Sequence, residues 1–202
     1  MPTTTSCRNR ALASAVLAPI PVLLALAPSA ARAEAVNYDY AELAFAGDGD
    51  VRGGSLRGSI DFGVAGGSGW YAHGSAYSVS GDDGAADVER RVIDVGAGYR
   101  HAIDDFWAVE GEVAWRDEAL ERNRVDLGDA GGMRLSVGVR GSVSERVEIR
   151  AMAGAFDAGD RGTDAVGELG VHVYATRNVG FTTDVQFGDG GEVLRIGVRV
   201  RF

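Results

Sequence analysis

From residue 34 to residue 202 the chain contains no proline, and long stretches of it alternate apolar and polar residues. The four prolines (Pro2, Pro19, Pro21 and Pro28) fall in the first 33 residues, whereas all 30 glycines fall after them. A proline-free stretch of this length suits a backbone whose N–H groups nearly all join sheet ladders. The alternation is sharpest at Leu194–Phe202. On an extended strand Leu194, Ile196, Val198, Val200 and Phe202 face one way, and Arg195, Gly197, Arg199 and Arg201 the other. Three arginines on one face are unusual for a water-soluble sheet. They fit a strand whose apolar face meets lipid and whose polar face lines a barrel interior. A soluble edge strand is the alternative reading of this segment taken alone.

The other end of the chain supports export. Arg8 and Arg10 precede a mostly apolar run at Ala11–Leu26, and Ala31-Arg32-Ala33 matches a small-x-small cleavage site. We expect residues 1–33 to be a cleaved secretory signal peptide and residues 34–202 to be one domain. The apolar run is too short and too interrupted by proline for a spanning helix. Cys7, the only cysteine, lies ahead of that run, so neither a lipoprotein anchor there nor a disulfide scaffold is expected. No run of about 18 apolar residues follows residue 33. A mature chain that spans a membrane must therefore do so as a barrel.

All 20 basic residues are arginines, and the net charge is −9, becoming −12 once Arg8, Arg10 and Arg32 are removed. Such acidity argues against nucleic-acid binding. Arginine in place of lysine suits ion pairing in a confined space, because its planar fork satisfies a carboxylate with two bonds.

Period-two segments of the length a tilted membrane strand needs recur along the chain. They predict strands at Val36–Ala46, Gly54–Phe62, Trp70–Ser80, Val88–Tyr99, Phe106–Arg116, Gly132–Gly141, Arg146–Phe156, Asp164–Ala175, Val179–Phe187 and Glu192–Phe202. The fold expected is all-β, a closed antiparallel transmembrane barrel of ten strands, with eight as the alternative. In the fifth strand Trp107, Val109, Gly111, Val113 and Trp115 face out. The facing of the first and third strands is not fixed by their sequence. Connections alternate between short ones (Gly63–Gly69, Arg100–Asp105, Ser142–Glu145 and Thr176–Asn178) and acidic ones, the longest being Asp117–Gly131. Short periplasmic turns with longer outer loops are the membrane-barrel pattern. By position along the strands the 16 aromatic residues fall into two belts. Eleven lie near periplasmic ends (Tyr38, Tyr40, Phe62, Trp70, Tyr71, Tyr99, Phe106, Trp107, Tyr174, Phe181, Phe202). Five lie toward outer ends (Phe45, Tyr77, Trp115, Phe156, Phe187), and amphipathic rings prefer such interfaces.

With its signal peptide, alternating strands and Phe202 terminus, the mature chain resembles the small bacterial outer-membrane β-barrel family that includes OmpA-, OmpX- and opacity-type barrels. The resemblance implies an outer-membrane location and a monomer. It also implies that the barrel assembly machinery reads Phe202 as an assembly signal. Members range from structural and adhesive proteins to a few lipid-modifying enzymes, so the fold does not settle the function.

Alternation places sixteen charges inside. The acids are Glu42, Asp61, Asp94, Glu110, Glu112, Glu148, Glu168 and Asp184; the bases are Arg57, Arg116, Arg134, Arg140, Arg150, Arg195, Arg199 and Arg201. This neutral set reads as a self-paired, largely closed interior, with a narrow pore for small ions or solutes as the alternative. The excess negative charge lies in outer connections, at Asp48, Asp50, Asp82, Asp83, Asp87, Asp117, Glu118, Glu121, Asp126, Asp129, Asp157, Asp160, Asp164 and Asp189. These read as a solvated rim. The alternative is divalent cations bridging them to anionic lipopolysaccharide, since hard cations prefer oxygen ligands.

Asp48-Gly49-Asp50 begins like a calcium-binding loop, but Ser59 stands where its twelfth-position glutamate belongs. Of the three histidines, His101 falls in a turn and His172 sits alone in a strand. His73-Gly74-Ser75 is similar, over two residues only, to the His-x-Ser pairing of outer-membrane lipid A deacylases, but no orienting acid lies near in sequence. No catalytic residue, metal site or cofactor is expected. The functional expectation is a non-enzymatic barrel with a structural or surface-interaction role. A lipid A-modifying esterase is the remote alternative.

Overall fold

The computed structural model describes residues 36–48, 50–63, 67–82, 86–123, 125–159, 162–188 and 191–202. The expected signal peptide, residues 1–33, lies outside them, as do Asp83, Asp160 and Asp189. Ten strands follow one another: β1 (Tyr40–Asp48), β2 (Val51–Asp61), β3 (Gly69–Asp82), β4 (Asp87–Ala102), β5 (Trp107–Arg122), β6 (Val125–Ser144), β7 (Val147–Asp157), β8 (Thr163–Tyr174), β9 (Val179–Gly188) and β10 (Gly191–Arg201). Each pairs with its sequence neighbours, and β1 closes on β10. The closing seam is antiparallel, running from Tyr40 opposite Arg201 to Gly47 opposite Leu194. The barrel has ten strands, not eight, and no sheet edge is left open around its wall.

The expected loop Asp117–Gly131 is not a loop. β5 and β6 continue as a paired hairpin, Arg122 opposite Val125, with one register shift between Ala119 and Glu121. Period-two hydrophobicity fades here because both faces of the hairpin meet water. Backbone pairing continues without it. At the tip Asn123 adopts a left-handed φ of 52°, a conformation that asparagine tolerates better than most residues. Its N–H donates to Asp87 O at 2.8 Å, and its Oδ1 accepts from Asp87 N–H at 3.2 Å, clasping the tip to β4.

The burial pattern inverts that of a soluble protein. Leu43, Leu56, Val95, Leu135, Val137 and Ile196 are all more than half exposed, whereas Glu42, Glu110, Glu148 and Asp184 are 2 % exposed or less. In water an outer surface of this kind would be costly; in hydrocarbon it is what the solvent requires.

The two aromatic belts expected from strand position need correction. Tyr38, Tyr40, Tyr71, Tyr77, Phe156 and Tyr174 are buried inside the barrel. Position along a strand gives depth, but the face is set by parity. Tyr40 shares the parity of Glu42, and Tyr174 that of His172. The rings left on the outside, including Phe62, Trp70, Phe181 and Phe202 at one end and Phe45 and Trp115 at the other, are exposed. Trp70 and Tyr99 pack edge to face, centroids 5.1 Å apart.

Candidate functional site

Alternation delivers every second side chain of every strand to the lumen, so the site is the lumen itself. Glu42, Arg57, Asp94, Glu110, Glu112, Arg116, Arg140, Glu148, Arg150, Asp184, Arg195, Arg199 and Arg201 are buried there. Asp61, Arg134 and Glu168 are half-buried. Most of them fall into three groups, the second and third linked through Arg134 and Glu112.

The first group centres on Glu148. Its Oε1 accepts from Arg140 Nε at 2.8 Å and Arg199 Nη1 at 3.3 Å, and its Oε2 from Arg201 Nη2 at 2.8 Å. Arg199 turns its other edge to Glu42 Oε2, donating through Nε at 3.0 Å and Nη2 at 2.8 Å. Tyrosine rings support these guanidinium planes: Arg199 lies 4.0 Å from the Tyr40 centroid, Arg201 3.4 Å from Tyr174 and Arg140 4.5 Å from Tyr38. Such stacking adds cation–π attraction to each pair.

The second group spans the middle of the lumen. Arg150 donates to Glu110 Oε2 at 3.1 Å, Glu112 Oε1 at 2.5 Å and Glu168 Oε1 at 2.9 Å. Glu168 also accepts from Arg57 through both oxygens and from Arg195 at 3.1 Å. Tyr71 Oη donates toward Glu110 at 3.1 Å and Glu112 at 3.0 Å. In the third group Arg116 grips Asp94 with two bonds of 2.9 and 3.0 Å, and Arg134 lies 3.4 Å from Asp94 and 3.5 Å from Glu112. A separate contact at one end joins Arg100 to Asp61 at 2.5 Å, with a further bond from Arg100 to the Gly67 carbonyl.

Apolar side chains gather inside the barrel toward the end where β9 turns into β10. Ala46, Tyr77, Val79, Val92 and Val193 form one buried cluster, and Ala130, Phe156 and Ala158 form another. Among the lumen charges a cavity of about 30 Å³ remains, bordered by Arg57, His73, Glu112, Arg134, Glu168 and Arg195.

Sequence reasoning missed Arg100 and the luminal tyrosines. Arg100 was placed in a turn although it shares the parity of Asp94 on the same strand, and counting by two would have found it. Tyr38 precedes the first ladder, so no parity rule reaches it. Of the expected rim acids, Asp50, Asp82, Asp87, Asp117, Glu121 and Asp157 are exposed and Asp164 is half-buried, while Glu118 pairs with Arg90 at 2.8 Å. The side chains of Asp48, Asp126 and Asp129 lie outside the described residues. Ladder pairing sets Asp82 opposite Asp87 and Glu89 opposite Glu121. Phe202 is 66 % exposed, and its N–H donates to Asp39 O at 3.2 Å.

His73 and Ser75 face the lumen, not the lipid. Ser75 Oγ lies 3.4 Å from Asp94 Oδ2, an oxygen that Arg116 already holds. His101 is exposed beside Ser68, 3.2 Å away. His172 is fully buried, and Glu42 and Asp184 approach it closely enough for each of the three to offer one ligand atom within 4.8 Å of the others.

A closed ring of ten strands, apolar outside and ionic inside, has one stable setting: a bilayer crossed by strands, as in the bacterial outer membrane. The molecule is an outer-membrane β-barrel. No protein-family model matches the chain, and no curated protein matches its sequence. Similar solved structures include the KdgM porin, at 13 % identity over 81 % of this chain and 99 % of that chain, with a TM-score of 0.46. The translocator domain of the autotransporter NalP from Neisseria meningitidis is 14 % identical over 98 % of this chain and 100 % of that one, with a TM-score of 0.46. Neisserial surface protein A is 15 % identical over 81 % and 95 %, with a TM-score of 0.36. At such identities none of these likenesses speaks to substrate or role.

Proposed function

We propose that this outer-membrane barrel is a non-enzymatic, non-conducting surface protein with a structural or surface-interaction role. One observation carries the reading: ion pairs reach across the lumen, from Arg57 to Glu168 and from Arg199 to Glu148, and occupy its middle. Each guanidinium in that lattice is committed to carboxylates from other strands. A permeating ion would have to break contacts whose partners would be left charged in a confined space. The apolar clusters at one end, in which the Tyr77 hydroxyl is the one side-chain oxygen, add a further barrier.

The functional surface is then the rim. Exposed acids concentrate on the outer ends of β3, β4 and β5, and like charges stand opposite one another there. Carboxylates so placed favour a bridging divalent cation, whose remaining positions suit the phosphates of lipopolysaccharide. The luminal placement of His73 and Ser75, out of reach of lipid acyl chains, speaks against an esterase.

Planar-bilayer recording of the purified barrel tests the closed reading. The expected trace shows no unitary steps at any salt concentration. Reproducible steps whose size scales with salt would establish a narrow pore in its place, with the luminal arginines as its lining. For the rim, lipopolysaccharide retention by the purified protein should fall when a chelator removes divalent cations. Retention indifferent to the chelator would end the bridging reading.

A further inference from the structure

Three buried residues, each with an acceptor atom that no donor satisfies, come together inside the barrel. Glu42 on β1, His172 on β8 and Asp184 on β9 each offer one ligand atom within 4.8 Å of the others, and all three residues are buried. Glu42 Oε1, His172 Nε2 and Asp184 Oδ1 have no hydrogen-bond partner. A buried polar atom left unpartnered is costly, so three on one cluster of residues require an explanation.

The hydrogen bonds around them fix their character. Thr182 Oγ1 donates its single proton to Asp184 Oδ2 at 2.8 Å. Toward His172 Nδ1, also 2.8 Å away, the hydroxyl therefore offers only a lone pair. Nδ1 must then carry the ring hydrogen, which leaves Nε2 as a bare acceptor. Glu42 commits its Oε2 to Arg199, and Asp184 commits its Oδ2 to Thr182. One oxygen of each carboxylate is held in place and the other is left over. The nearest cation to Asp184 Oδ1 is Arg57 Nη1 at 3.6 Å, too far for a hydrogen bond. Space at the site is kept by a glycine: a Cβ added at Gly170, opposite Asp184 in the ladder, would overlap Asp184 Oδ1 and lie 3.4 Å from His172 Nε2.

We propose that Glu42, His172 and Asp184 form a buried binding site for a divalent first-row transition cation, with zinc as the probe. One neutral imidazole and two carboxylates are a ligand set that such ions prefer over calcium or magnesium. Bonds of about 2.0–2.2 Å place three donors on one ion about 3.3–3.8 Å apart, so the three side chains draw together by up to about 1 Å on binding. The Thr182 hydroxyl, bonded to both the imidazole and Asp184, is the outer partner that orients them. An ion there ties β1 to β8 and β9 and removes the mutual repulsion of three lone pairs.

The test uses the full folded barrel in detergent, stripped with a chelator and given zinc alone against excess magnesium, which saturates the carboxylates of the rim. Elemental analysis after gel filtration should find one retained zinc per barrel, and cobalt in its place should give visible d–d bands. Thr182→Val should weaken retention about 10–100-fold. His172→Gln should abolish it, as should Gly170→Ala, which fills the space while keeping all three ligands. Zinc-free wild type, or equal retention by His172→Gln, would overturn the site. Gel migration confirms that each variant is folded, and if Gly170→Ala is not, His172→Gln decides.

Discussion

Arg57 on β2 and Glu168 on β8 meet through two hydrogen bonds, of 3.0 and 3.3 Å, although their strands stand four places apart around the ten-strand ring. The contact is a chord across the lumen, not a rung along the wall. Glu168 also receives Arg150 and Arg195, so three guanidinium groups from three strands share one carboxylate. Arginine serves this arrangement because its rigid fork can reach one partner with two bonds.

Glu168→Ala should therefore be among the most damaging luminal substitutions, since it leaves Arg57, Arg150 and Arg195 short of a partner together. A loss of about 3–5 kcal/mol is expected. Arg195→Ala leaves Glu168 with two arginines and should cost about 1–3 kcal/mol. Urea midpoints of the detergent-folded barrel, read by gel migration, give the order. Equal midpoints for both variants would mean that the lattice is not shared as the distances suggest.

Tyr71 reaches the central carboxylates by lying over Gly98, its ladder partner on β4. A Cβ at Gly98 would fall within the Tyr71 ring, whereas one at Gly111 on the lipid-facing side would meet nothing within 4 Å. Gly98→Ala should cost about 1–3 kcal/mol through overpacking. Gly111→Ala should change the same urea midpoint little or raise it. A neutral Gly98→Ala would show that the tyrosine has another resting place.

Val137 on β6 sits opposite Gly111, midway between the levels of Trp107 and Trp115, and is 60 % exposed. In lipid vesicles Val137→Arg should cost about 2–4 kcal/mol, the depth-dependent penalty at a bilayer midplane. The same change at Val125, exposed beside the hairpin tip, should cost far less of the unfolding free energy. Equal costs would place Val137 outside the hydrocarbon.

The wall of the barrel was legible because lipid outside and ions inside force strict parity. The run from Met133 to Val139 declares its outer face residue by residue. Three things were not. Beyond the bilayer both faces of β5 and β6 meet water, so Asp117–Gly131 lost its alternation and read as a loop although its backbone stays paired. In the lumen, tyrosines such as Tyr40 and Tyr174 serve as platforms for arginine, and a rule that sends aromatic rings to the interface misplaces them. The grouping of Glu42, His172 and Asp184 was invisible because it joins strands β1, β8 and β9. Their closeness depends on closure of the ring and on register, which no local pattern records.

Orientation follows from the turns. Asn123 tops the projecting hairpin, whereas Arg177 lies in the short turn between β8 and β9. Cys7 is the only cysteine of the chain, so in a Cys7→Ser background a new thiol reports its own location. Asn123→Cys should react with a membrane-impermeant maleimide on intact cells. Arg177→Cys should react only after the outer membrane is opened. The opposite pattern would invert the barrel.

Glu42 and Arg199, 157 residues apart in the chain, come together only when the first strand meets the last. Before that moment Glu42 lacks the guanidinium that holds its Oε2, while Arg199 keeps only Glu148. A curved sheet with bare ions on its concave side cannot rest in hydrocarbon, where each would cost several kcal/mol. It can wait only where water still fills the concavity. Seam formation and expulsion of that water must then be coupled, with the first and last strands arriving as the final stitch. A chain built this way has no comfortable halfway state in the bilayer: it is either outside or closed.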